Sequence, residues 1–596
     1  MVAIRFQNFG GMIPAVDDRL LPDMQSAYAK NCWLYSGALR GIATPEELYT
    51  LQNTSSRKVF RIPINFYDKE HLAESYWLEF EDIDTDVVQA PIVDDTYDRY
   101  YWACPTDYPR YNTLANITVG TGYLGSNGYR LGVPPPPTAP TLVPSGGAGV
   151  SETRSYVRTW VTAYGEEGPP SPPVTVSGKV DDTWVLTFYA AGAPYTNERN
   201  ITLCRIYRTI TSTAGVATYF FVAEVAYSAT TYSDTRTSAA VAEENQLESI
   251  DWTEPPEDLE GFTVMPNGLI AGFREREIWF CEPYRPHAWP TGYTLSVENP
   301  IVGLGVVGQS LIVLTTGAPY ALVGTTPGNM SLAKMASIEP CFSRGSIVSA
   351  PEGVYFASPN GLMLATQGTI LNVTKNSFTK NVWMDLFDVT KLRATRVGSS
   401  YYAFGNISIE EGVFNTNAFY DSAFEVADYT FSRDGFIFDT VSERVSVSLL
   451  YSETPTVNIM TDQWSGEPFV LRGGKVYWLN TDEDADREVY FWKSKVFQPS
   501  IKKNFEALRI WFDVPTFMDA PTVAIRRQTT YENDMYGMVR VRADGQLILS
   551  REFRTSGEII RLPSGFRAAL WQVEFEGRAT IFNVEMATSM KELMGV

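Results

Sequence analysis

The chain has 596 residues, of which 44% are hydrophobic and 13% aromatic, and it carries a net charge of −21. Its length predicts about three to five domains, and its 33 Tyr and 14 Trp suit sheets and interfaces better than helices. So acidic a chain will not grip a phosphate backbone, which needs clustered Lys and Arg; with only His71 and His287 present, a His-rich metal centre is excluded by count.

Residues 1–133 form a mixed opening segment. Pro22 and Asp23 are helix-start signals, and the spacing of Ala27, Ala29 and Cys32 predicts a short helix after them. Trp33 to Leu39 then reads as strand, turn, strand. Acidic residues crowd the stretch from Glu79 to Asp98, as expected of a solvated loop region.

Residues 134–149 are a Pro/Gly linker, with Pro134 to Pro137, Pro140, Pro144 and then Gly146-Gly147. Residues 150–250 predict a fibronectin type III-like β-sandwich. Tyr156 to Thr162 and Ile201 to Arg208 alternate, the Gly165-Glu166-Glu167-Gly168-Pro169-Pro170 run supplies a turn, and a last strand reaches Tyr232-Ser233-Asp234.

Residues 251–496 repeat one phrase, a β-branched or aromatic run, a turn and another run. Copies start at Leu269, Leu311, Val354, Tyr401, Phe436 and Val476, about 35 to 47 residues apart, near the roughly 40–45 residues of a four-stranded propeller blade. One blade cannot bury both its faces, whereas a series can. The uncharged stretch 300–333 is too broken by Gly and Pro for a membrane helix. Residues 497–596 predict a C-terminal β-rich domain, with Trp571, Val573 and Phe575 on one strand face and an Asp544-Gly545 hairpin turn. The expected fold is all-β and multidomain, a β-propeller-like core with a sandwich insert and that C-terminal domain.

Charge is uneven along this layout. Residues 491–596 hold 15 basic and 12 acidic residues, a surplus of three, which leaves −24 for residues 1–490. An acidic surface lets nucleic acid slide past without sticking, and it also serves plain solubility. The five cysteines (Cys32, Cys104, Cys204, Cys281, Cys341) lie far apart. Their odd number, with no secretory signal, predicts free thiols in a reducing cytoplasm.

No motif for chemistry survives inspection. Both histidines read as ordinary surface or loop residues. Gly303-Leu304-Gly305-Val306-Val307-Gly308 matches a dinucleotide fingerprint in letters, but strand-like Leu311 to Leu314 follows where a helix is needed. The Asp82/Asp84/Asp86 and Asp482/Asp484/Asp486 triplets lack the Gly and Glu of a calcium loop, and solvated acidic loops are the expectation for both. Ser432-Arg433-Asp434-Gly435-Phe436 begins like a sialidase Asp box without its later Thr-Trp. No catalytic, cofactor-binding or metal-ligating residue is predicted, and no cofactor.

The chain ends carry a resemblance. Gly10-Gly11-Met12-Ile13-Pro14, Leu20 to Ala27, Asn31 and Gly37-Ala38-Leu39-Arg40 resemble the opening of podovirus tail nozzle proteins, also called tail tubular protein B. Tyr164 to Ser171, Trp492 to Phe497, Arg561 to Arg567, Trp571 and Met586 to Leu593 are similar to the same group, in the same order. The sandwich insert is not universal there. The resemblance implies a non-enzymatic homohexameric tube of the virion tail, assembled in the host cytoplasm without membrane insertion. Its implied partners are the head-to-tail adaptor, tail fibres or a tail plug, and genomic DNA conducted through the lumen without sequence-specific binding. A tail-associated propeller that binds or depolymerises host polysaccharide is the alternative.

Overall fold

The computed structural model describes residues 4–64, 72, 74–188, 194–210, 218–324, 326–405, 432–439, 447–452, 454–479, 485–513 and 536–594. Among these residues helices are short, Lys380–Leu386 being the longest. The fold is all-β and multidomain. Contacts divide the chain into two compact units, one of Lys58–Ile62 with Tyr76–Ala336, the other of Met1–Arg57 with Pro63–Ser75 and Ser337–Val596.

The first unit holds three blade-like sheets, each a four-stranded antiparallel meander. One uses Asp86–Gln89, Arg99–Cys104, Asp107–Thr113 and Tyr129–Arg130; the next Glu260–Val264, Ile270–Arg274, Glu277–Phe280 and Leu295–Ser296; the third Ile301–Val307, Ser310–Thr315, Tyr320–Val323 and Ser331–Lys334. Glu260–Val264 packs on the first two strands of the first sheet and on the opening strand of the third. A strand covered on both faces loses its alternation and becomes a continuous apolar run. Leu311, Ile312, Val313 and Leu314 are such a run, all fully buried, each worth about 1.5–3 kcal/mol of transfer free energy. The described residues of 300–333 are therefore mostly strand, and among the described residues no helix is long and apolar enough to cross a membrane.

Between the first and second of these sheets the chain makes the fibronectin type III-like sandwich. Its four-stranded sheet runs Val174–Lys179, Ser151–Thr162, Ile201–Ile210, Thr218–Ala226; its three-stranded sheet runs Thr141–Ser145, Thr183–Thr187, Thr231–Asp234. The three-stranded face thus takes the first, fourth and seventh strands of the module. Tyr156, Trp184, Leu186 and Ile206 fill the space between them. Asp234 is fully buried at one end, where it accepts the Tyr156 hydroxyl at 2.7 Å and faces Arg208 at 3.3 Å.

The second unit opens with the blade-like sheet Val348–Ala350, Gly353–Ser358, Gly361–Ala365, Ile370–Asn372. A second sheet, Thr456–Thr461, Pro468–Arg472, Lys475–Trp478, takes its fourth strand from Glu46–Thr50, more than 400 residues earlier. A nine-stranded sheet runs, in spatial order, Arg393–Val397, Ser400–Phe404, Ser432–Asp439, Val447–Ser452, Ser26–Lys30, Tyr490–Ser494, Trp571–Gly577, Gly537–Ala543, Gln546–Glu552. Ile4–Phe6, Thr580–Ala587, Ala507–Asp513 and Ile559–Arg561 make a further sheet. The C-terminal strands therefore share sheets with N-terminal ones.

Four expectations need correction. Residues 134–149, expected to be a linker, include strand Thr141–Ser145 of the sandwich. The stretch expected to be helical after Pro22 is a strand: Ser26–Lys30 pairs antiparallel with Tyr490–Ser494 and in parallel register with Leu449. Sheet pairing on both sides overrides a local start signal. The six copies of the repeated phrase occupy five sheets, because the copies at Tyr401 and Phe436 are neighbouring strands of one sheet. Finally, the acidic stretch before Asp98 includes strand Asp86–Gln89, and with the strands that follow it builds a blade the repeat did not reveal.

Candidate functional site: a buried charge cluster and a joint between the chain ends

His71, Asp482 and Asp484 lie outside the described residues. Of the remaining candidates, Gly303 to Gly308 is strand Ile301–Val307 and its turn, with strand Ser310–Thr315 behind it, so no helix end is offered to a phosphate. Asp82 accepts the Asp84 amide and the Thr106 hydroxyl at 2.7 Å, and no metal-holding group occurs among the described residues. Asp434 sits on a strand, where it accepts from Ser452, from both the amide and hydroxyl of Thr456, and from Arg472. It is a buried cross-strand tie. All five cysteines are buried and free; burial pushes the Cys281 and Cys341 thiols up to about 12, a range in which the thiolate is scarce.

His287 was expected at the surface or in a loop. It is in a loop, yet buried, and it belongs to a cluster in which three elements meet. Arg99, at the start of strand Arg99–Cys104, donates to both oxygens of Asp95 at 2.8 and 2.9 Å and to Glu166 Oε1 at 2.7 Å. Arg99, Asp95 and Glu166 are 4–8% exposed at their side chains, so solvent screens these bonds little. His287 Nδ1 stands 4.0 Å from the same Glu166 oxygen, and its ring meets Trp252 edge-on at 5.6 Å.

The turn after strand Ser151–Thr162 places Glu166 there. Gly165 closes it at φ +80°, a conformation that favours glycine, with its amide bonded to the Thr162 carbonyl. The adjacent glutamates then diverge. Glu166 enters the blade, while Glu167 folds back on its own sheet, accepting from Arg205, Tyr207 and Thr159 at 2.6–2.8 Å. Tyr164 packs into an aromatic group of Tyr97, Tyr111 and Tyr129, 4.6 to 6.5 Å between centroids.

Burial raises the Glu166 carboxyl above the usual carboxylate range, against the pull of Arg99. Burial also lowers His287 to about 3, with Arg99 and Arg285 adding to the effect, so the imidazole is neutral. The Tyr101 and Tyr111 phenols, stacked at 5.8 Å, are pushed well up by burial and next by Glu166. The arrangement can hold the sandwich on the blades. With one arginine between two carboxylates and little exposure, it has the composition of a structural lock. In the sequence Glu166 reads only as part of a turn, and Arg99 and Asp95 offer no signal beyond their spacing of four.

In the second unit, most of the stretches expected to resemble the nozzle family come together, while Tyr164 to Ser171 lies in the first. The Trp492 indole donates to the Gly10 carbonyl at 3.0 Å, and its ring meets Phe6 and Phe9 edge-on. Asn31, at φ +52°, exchanges two bonds with the Tyr451 backbone at 2.9 and 3.3 Å. Leu39 and Ile581 exchange backbone bonds at 2.9 and 2.8 Å. Trp571, fully buried, stacks on Phe566 and exchanges backbone bonds with Phe497.

No protein-family model matches the sequence, and no curated protein matches it. Among solved structures, similarity is found to the N-terminal domain of Nup159, at 11% identity over 45% of this chain and 72% of that one, with a TM-score of 0.23. BBS1N in complex with ARL6DN is similar at 10% identity over 52% and 90%, TM-score 0.25. The β-propeller domain of Myceliophteria thermophila Cps50 (Swd1) is similar at 8% identity over 48% and 89%, TM-score 0.22. At these TM-scores none of the three carries an inference about function.

Proposed function

We propose that this chain is a structural component of a phage tail, a nozzle protein that forms a ring below the head-to-tail adaptor and conducts genomic DNA. The observation that carries the reading is the joint between the chain ends. Gly10, Asn31, Leu39, Trp492 and Trp571, which lie in stretches resembling the nozzle family, all build one unit. A shared body, more than scattered letters, is what a common structural role would preserve.

Charge supports the same reading. Six copies at −21 amount to about −126, a field that repels DNA and keeps it mobile in a channel. Acid-rich loops are then expected along the lumen, and a lumen lined with Lys and Arg would contradict the proposal. The direct test is particle imaging of the purified full chain. A six-fold ring with a channel as wide as duplex DNA is the expected result; a monomer at every concentration overturns it. Release of oligosaccharides from host polysaccharide, abolished by changing one carboxylate pair, would favour the enzymatic alternative.

A further inference from the structure

Seven cations of residues 491–594 are matched by acids. Arg509 pairs with Glu585, Arg540 with Glu576, Arg542 with Glu574, Arg551 with Glu558 and Arg554 with Glu552, at 2.6–3.2 Å. Lys493 faces Glu574 at 3.9 Å and Lys495 faces Asp23 at 3.0 Å. Among the described residues six others are not matched: Arg578, Lys591 and a group of four, Lys502, Lys503, Arg561 and Arg567. All four are exposed, and among the described residues none has an ion-pair partner.

These four share one place in the fold. Lys503 and Ala568 exchange backbone bonds at 3.2 and 3.0 Å, which sets Lys502 and Lys503 beside Arg567. Arg561 pairs with Ala507, and the Leu562 amide bonds the Glu506 carbonyl, so segments 501–507 and 561–568 run side by side. Leu562 and Ala568 are buried and Phe566 stacks on Trp571 at 6.0 Å, which turns Arg561 and Arg567 outward on an anchored loop. Glu506 is the one acid in the two segments, leaving a surplus of three positive charges. Beside them Ile501 is 69% exposed. Unpaired cations beside an exposed apolar side chain complement an acidic surface.

We infer that this pair of segments is one half of a contact between two copies of the chain, whose other half is an acidic surface. The partner follows from charge: residues 1–490 carry −24. A two-fold contact would set the basic loop against itself and repel, so the contact is heterologous, and heterologous contacts that close make rings. The inference rests on the ring proposed above and adds the face through which copies join.

The test is sedimentation velocity of the full chain, wild type against Lys502→Glu/Lys503→Glu/Arg567→Glu, at low and high salt. Surface substitutions of this kind leave the thermal transition in place, which shows that the variant folds. Wild type should form a closed oligomer that weakens with salt, and the variant should need at least about ten-fold more protein to assemble. Mixed with wild type, the variant should also shorten the oligomer, because it keeps its acidic half and cannot pass the contact on. A variant that assembles like wild type overturns the inference and leaves the ring standing. A wild type that stays monomeric overturns the ring and this contact together. Duplex DNA binding lost in the variant, with assembly unchanged, would assign the loop to nucleic acid and also overturn it.

Discussion

Acidification should loosen the attachment of the sandwich, and His287 is the group that makes this measurable. Its pKa falls from 6.5 to about 3, chiefly because burial disfavours the imidazolium, with Arg99 and Arg285 opposing a further charge. A depressed pKa means that the unfolded segment binds a proton the folded one refuses. The contribution to stability is therefore complete above about pH 6.5 and is lost as pH falls toward 3, at about 1.4 kcal/mol per pH unit. Between pH 7.5 and pH 5.0 the loss comes to roughly 2 kcal/mol, a factor of about thirty in the opening equilibrium. Glu166 acts in the opposite sense: its raised carboxyl costs stability while ionised and recovers it on protonation. His287→Gln isolates the imidazole because it leaves Glu166, Arg99 and Asp95 in place, and His71 is common to both proteins. The assay is hydrogen exchange of peptides spanning 160–168 and 281–289, which reads local opening without assuming that the whole chain unfolds together. Wild type should open about thirty-fold more readily at pH 5.0 than at pH 7.5, and His287→Gln markedly less so. An equal pH response in both proteins would refute the reasoning.

Removing Glu166 should be costly at neutral pH. Glu166→Ala takes one of two carboxylates from the buried Arg99, which keeps its bidentate pair with Asp95; losing such a charged hydrogen bond costs about 1.5–3 kcal/mol, visible as faster exchange through 160–168, and unchanged exchange would show the lock to be idle. Gly435→Ala should lower the melting temperature of the second unit sharply, because a Cβ there would stand 1.9 Å from the Ala403 carbonyl oxygen of the paired strand; a soluble variant with wild-type melting would deny that close approach. The pairing of Glu46–Thr50 with Lys475–Trp478 should depend on backbone bonds and not on the exposed Lys475–Glu47 ion pair. Lys475→Ala is thus expected to melt like wild type by differential scanning calorimetry, and a clearly lowered transition would show that the ion pair holds the strand.

What was legible in the sequence was local. Hairpins within a blade join strands a few residues apart, so Leu311 to Leu314 or Val354 to Phe356 announced their sheets by composition and turn spacing alone. The Asp544-Gly545 turn was readable for the same reason: both residues adopt positive φ, as a two-residue hairpin requires. The blade through Arg99–Cys104 escaped notice because its central strand is buried throughout and shows no alternation, while the acids before it suggested a loop. The interval of 35 residues between Tyr401 and Phe436 looked like a short blade. It separates neighbouring strands of one sheet, so spacing alone could not distinguish a blade from an insertion within one. The cluster at Glu166 was beyond reach for another reason. Arg99, Glu166 and His287 lie 67 and 121 residues apart along the chain, and nothing in the local pattern of any one of them specifies the other two.

The same limit explains the second unit and has a consequence for its folding. Ser26–Lys30 is an interior strand whose two neighbours, Val447–Ser452 and Tyr490–Ser494, lie more than 400 residues away. Trp571–Gly577 then pairs on the far side of Tyr490–Ser494, and Ile4–Phe6 pairs with Thr580–Ala587. Loop closure over such lengths must precede any reward from the contact. The opening segment must therefore wait for the last strands of the chain before its apolar faces are covered, whereas each blade of the first unit closes from its own neighbours. Gly10, Asn31, Leu39, Trp492 and Trp571 sit in this joint, so a substitution at any of them bears on strands from both ends at once.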